Sequence, residues 1–110
     1  MKEQDIQRKI IKFLESQGAY VIKTISTNRS GVPDIIACYK GKFIAIEVKT
    51  PKTKNNVSEL QKSHIKKIQE ANGIAIVAWS VEQVEVAINY ISRINNITEF
   101  IKELKGNKGI

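Results

Sequence analysis

Cysteine is nearly missing from this chain of 110 residues, with Cys38 its single representative. One thiol makes neither an internal disulfide nor a cysteine-based zinc cluster, which fits a reducing compartment. No apolar run approaches the ~20 residues needed to span a bilayer, so no membrane partner is expected. The opening Met1-Lys2-Glu3-Gln4-Asp5 lacks the apolar stretch of a secretory leader, and a cytoplasmic protein is expected. Internal repeats, low-complexity tracts and interdomain linkers are also missing. Negative charge is scarce, with 11 acidic residues against 18 basic ones and a net charge of +7. A domain this basic suits a polyanionic partner, nucleic acid above all.

What remains is a hydrophobic fraction of 42%, enough for one ordinary core, so residues 1–110 read as a single domain. Ile6, Ile10, Phe13 and Leu14 recur at helical spacing and predict a helix over about Glu3–Ser16. A short strand is expected over Ala19–Thr24, and a polar loop over Ser26–Gly31. Strands over Asp34–Tyr39 and Lys42–Thr50 flank Lys40-Gly41, a two-residue turn with glycine where tight hairpins want it. Lys52–Asn56 form a basic loop, and Ser58 with Gln61 makes a capping box for a helix ending near Asn72-Gly73. The apolar run Ile74–Trp79 suits a strand covered on both faces. Ser80 with Gln83 caps a last helix, with an interruption expected at Asn95-Asn96 before Ile97, Phe100, Ile101 and Leu104. The order α-β-β-β-α-β-α predicts an α/β fold, a mixed central sheet flanked by helices.

The hairpin carries the chemistry. With Lys40 and Gly41 as turn residues, Tyr39 pairs with Lys42, and counting back sets Asp34 opposite Glu47. Opposed residues of an antiparallel pair share a face, their Cβ atoms roughly 4.5–5.5 Å apart. Two like charges so close call for a cation between them, and Mg²⁺ is held by one or two carboxylates, water and phosphate. The strand period of two puts Lys49 on the same face as Glu47, beside that ion, where its ammonium orients a water and balances charge. These are the parts that phosphodiester hydrolysis requires.

Two more side chains join by helical arithmetic. Glu3 projects near Ile10 and so faces inward at the helix start, within direct or water-mediated reach of the ion, whereas Asp5 points away. The alternative for Glu3 is a charge that serves only the positive end of the helix dipole. Gln61 lies on the apolar side of its helix, as a capping residue or as a contact to Lys49 or a phosphate. Lys23, Arg29, Lys52 and Lys54 sit in or beside the loops flanking the hairpin and suit DNA phosphates, though charge runs are commonly just solvated. His64 reads as a packed or hydrogen-bonded residue and Cys38 as a small core residue.

Gly31-Val32-Pro33-Asp34, Phe43-Ile44-Ala45-Ile46-Glu47-Val48-Lys49 and Ser58-Glu59-Leu60-Gln61, in this order, resemble the VRR-NUC family of the PD-(D/E)XK nuclease superfamily. The likeness covers about residues 3–84, leaving 85–110 as a C-terminal helical extension. It implies a restriction-endonuclease-like core using Mg²⁺, with Mn²⁺ as substitute, and no nucleotide cofactor. Asp34, Glu47 and the Val48 carbonyl would hold metal, Lys49 would position water, Glu3 matches the helical acid, and Gln61 matches the family's glutamine. Compact members resemble phage proteins and are similar in role to Holliday-junction resolvases, homodimers acting on branched DNA. The expectation is a structure-selective endodeoxyribonuclease. The alternatives are a non-catalytic DNA-binding module of the same fold, or a restriction or repair nuclease with sequence preference, for which no base-reading element is evident. A two-fold dimer suits a junction with two equivalent strands, and Ile94, Ile97, Ile101 and Leu104 are a candidate dimer surface, unless that stripe packs on its own sheet.

Overall fold

The computed structural model describes residues 1–25 and 30–107. Its elements are α1 (Glu3–Ser16), β1 (Tyr20–Lys23), β2 (Ile35–Tyr39), β3 (Lys42–Val48), α2 (Glu59–Glu70), β4 (Ile74–Ala78) and α3 (Val81–Asn107). The four strands form one sheet in the order β1-β2-β3-β4, antiparallel except for the parallel β3–β4 pair. The mixed α/β architecture is as expected. The short hairpin gives antiparallel pairing, whereas the crossover through α2 brings β4 back parallel.

Lys40 and Gly41 both have positive φ, 48° and 78°, so a two-residue turn of the primed type closes the hairpin. Tyr39 pairs with Lys42 and Ile35 with Ile46, the register expected from the turn. Parity then divides the sheet. Ile35, Ala37 and Tyr39 of β2, with Ile44, Ile46 and Val48 of β3, enter the core with Ile6, Ile10 and Leu14 of α1 and Val84, Ile88 and Ile91 of α3. Tyr39 also shares a 2.8 Å hydrogen bond between its hydroxyl and that of Ser92, which fixes α3 to the hairpin. Ala45 and Glu47 fall on the opposite surface and are buried there too, since α2 lies over β3 and β4.

Two expectations are corrected and one alternative is decided. Asn95 and Asn96 do not interrupt α3, which runs unbroken for 27 residues, because both amides sit within regular helix. Cys38 is exposed, since its parity places it on the surface of β2 that α2 does not reach. Of the two readings of the apolar stripe of α3, packing on its own sheet is the one not seen: beyond Ile91 no described residue of the helix is buried. Among the described residues no helix is long and apolar enough to cross a membrane.

Candidate active site

Asp34 sits one residue before β2, where the ladder ends. Two bonds from Thr24 hold the segment there: its N–H donates to the Asp34 carbonyl at 2.9 Å and its hydroxyl to the Pro33 carbonyl at 2.6 Å. One Asp34 carboxylate oxygen accepts from the Val48 N–H at 2.8 Å. In an antiparallel ladder the N–H and C=O of one residue point to the same side, so the Val48 carbonyl also turns toward Asp34. Extending the register brings position 33 opposite Val48, and Pro33 has no N–H to give that carbonyl. The carbonyl is thereby left available to another electrophile.

Glu47, one step along β3, is only 3% exposed. Its Oε2 accepts from the Gln61 amide at 3.1 Å and lies 3.7 Å from the Lys49 Nζ. The same glutamine completes the α2 cap: its Oε1 accepts from the Ser58 N–H at 2.9 Å, and its own N–H donates to the Ser58 hydroxyl at 3.1 Å. Gln61 therefore fills the expected capping role, and the side chain that its amide meets is Glu47 rather than Lys49. Gly31 secures the approach of α2. Its φ of +82° suits glycine, and a Cβ there would come within 2.9 Å of the Leu60 side chain and 3.1 Å of the Gln61 nitrogen. His64 adds a 3.0 Å hydrogen bond from its ring to the Ser30 carbonyl, in line with the packed role expected of it.

Burial pushes the Glu47 carboxyl from its ordinary 4.5 up to about 8; the Asp34 charge and a hydrogen bond shared with Asp34 add to this, and Glu3 adds least, while Lys49 opposes. The two acids thus meet, as the hairpin register predicted, and without a cation Glu47 holds its proton well above the usual carboxylate range. An all-oxygen donor set built on two opposed carboxylates fits a hard divalent ion such as Mg²⁺. Glu3 is half-buried and acts on Glu47 through its charge. Among the described residues no three His, Cys, Asp or Glu side chains stand close enough together to be grouped round one ion. Gln7, one turn along α1, is buried with its Oε1 unpartnered among the described residues, a group ordinarily met by water. Asp5 is committed to the helix start, accepting from the Lys2 N–H at 3.2 Å and pairing with Arg8.

A family model described as archaeal Holliday junction resolvase (Hjc) matches residues 1–109. The chain belongs to the Hjc family. Among solved structures, one titled VRR_NUC domain is similar with a TM-score of 0.67 and 26% identity, over 79% of this chain and 94% of its own. No curated protein matches the sequence significantly. The resemblance to VRR-NUC nucleases and the fold that it implied are both borne out, and this Hjc-family chain is a member of a nuclease family.

Lys23 and Lys52 are exposed, Lys54 stands 4.8 Å over the Trp79 ring in a cation–π contact, and Arg29 lies outside the described residues. Sequence reasoning missed Thr24, whose N–H and hydroxyl donate to the Asp34 and Pro33 carbonyls, and Ser30, whose carbonyl meets the His64 ring. Pairing the first strand with the hairpin would have exposed Thr24, which continues the β1–β2 register opposite Asp34.

Proposed function

We propose that this protein is a Mg²⁺-dependent endodeoxyribonuclease that cuts branched DNA, four-way junctions in particular, as a homodimer. The observation that carries the metal reading is the contact between buried Glu47 and half-buried Asp34, two acids brought together on one face of the hairpin. Asp34, Glu47 and the Val48 carbonyl would hold the ion, with Glu3 acting through water; Mn²⁺, of the same ligand preference, would substitute. When bound, such an ion lowers the pKa of a coordinated water and polarises the phosphodiester.

The chain's own residues do the rest. The Gln61 amide holds one Glu47 oxygen in a fixed orientation, so that the carboxylate need not reorganise. Lys49, with its side chain only 12% exposed, keeps its ammonium beside Glu47, where it orients the attacking water and offsets charge gathering on the phosphate. Lys23, Arg29, Lys52 and Lys54 supply phosphate contacts. The branched substrate is supported by the family's description, and the paired sites by the symmetry of a four-way junction. Such an enzyme works in the cytoplasm, that of a bacterial host if phage-encoded.

The test compares linear, flap and four-way DNA with and without Mg²⁺. Asp34→Ala and Glu47→Ala each abolish Mg²⁺-dependent cleavage while junction binding persists. Cleavage surviving in both variants overturns the proposal.

A further inference from the structure

The last roughly four turns of α3 hold no buried residue, yet they are not polar. Tyr90, Ile94, Ile97, Ile101 and Leu104 follow one another at spacings of four, three, four and three residues. That alternation is the heptad seam of a two-stranded coiled coil, and Phe100 flanks it. These six side chains are 39–59% exposed. The charged residues of this stretch, Arg93, Glu99, Lys102, Glu103 and Lys105, fall between the seam positions, and Glu99 and Lys102 pair with each other at 3.8 Å.

Two physical arguments say that something covers the seam. Ile94, Ile97, Thr98 and Ile101 are β-branched and form helix poorly, so a protruding helix of this composition is marginal in water without a packing partner. The apolar surface exposed along it is roughly 600 Å² per chain, at the upper end of what monomers leave open. Doubled across a two-fold axis, it reaches the lower bound of specific interfaces.

We infer that the occupant is a second copy of this chain, its α3 laid along the first to form a two-helix coiled coil. The inference rests on the homodimeric reading above and deepens it by naming the surface. A self-complementary stripe suits a two-fold axis, because the same residues meet from both sides, Ile and Leu against Ile and Leu. The seam begins at Tyr90, before α3 leaves the core, so pairing there fixes one catalytic domain relative to the other rather than tethering them loosely.

Sedimentation equilibrium of the full chain, without DNA or metal, tests this. The wild type sediments at twice the mass of one chain. The double variant Ile97→Asp/Ile101→Asp sediments as a single chain, its dissociation constant raised at least about a hundredfold because each copy now buries charge in the seam. Both positions are exposed in one chain, so circular dichroism still reports a folded domain. A second variant pair, Tyr20→Asp/Phe43→Asp, alters another exposed apolar surface, where Tyr20, Cys38 and Phe43 line up across β1–β3, and remains dimeric. A monomeric wild type, a seam variant that stays dimeric, or dissociation caused by the Tyr20/Phe43 pair each overturns the inference. None of these results touches the Asp34–Glu47 chemistry, which the cleavage assay reads separately.

Discussion

Replacing Glu47 by glutamine removes the one strongly displaced ionisation in the site, and the effect on folding is calculable. Below about pH 4.5 the folded and unfolded chains both hold a proton on Glu47; between there and about pH 8 only the folded chain does; above that neither does. Because the folded state binds the extra proton, stability falls as pH rises through this window, by up to ~1.4 kcal/mol per pH unit. From pH 5 to 7 the metal-free wild type therefore loses up to ~3 kcal/mol relative to Glu47→Gln, whose amide does not titrate. Urea unfolding in EDTA, at pH values from 5 to 9, measures both chains, and the difference between their curves cancels every other group. Adding Mg²⁺ reverses the sense, since the ion must displace the proton: apparent affinity rises by up to about tenfold per pH unit below pH 8. Parallel stability curves for the two chains would refute the picture of two opposed acids held in a desolvated site.

Gln61→Ala removes both a helix cap and the amide donor to Glu47, so the loss in unfolding free energy is about 2–3 kcal/mol rather than the ~1 kcal/mol of a simple cap, read by denaturant titration. A loss confined to the cap value would show that the amide adds nothing at Glu47. Lys52→Ala lowers the slope of log binding constant against log salt by about one, measured by fluorescence anisotropy on a four-way junction. An unchanged slope removes Lys52 from the DNA surface.

The site was readable in the sequence to the extent that it depends on counting. A two-residue turn at Lys40-Gly41 leaves one register, and one register leaves Asp34 and Glu47 opposed with Lys49 alongside. The capping pattern Ser58–Gln61 marked the start of α2 for the same reason, since the signal is local. Less legible was anything decided by where one element stops covering another. Cys38 shares the parity of Asp34, but its exposure depends on α2 not extending over β2. That Gln61 turns its amide to Glu47 depends on how α2 leans on β3, and this in turn depends on the contact between Gly31 and Leu60. The continuity of α3 through Asn95-Asn96 was misjudged because weak helix formers were read as a stop, although no glycine or proline stands there.

The hairpin turn lies at the far end of β2 and β3 from the two acids, five residue pairs away. Changes of length confined to that tip leave the strands in step, so the tip is free to vary between relatives without disturbing the chemistry. A single residue gained or lost inside either strand does the opposite: it sends one carboxylate through the sheet to the side lined by α1 and α3. Tolerance to insertion along this ribbon should therefore rise sharply at its tip.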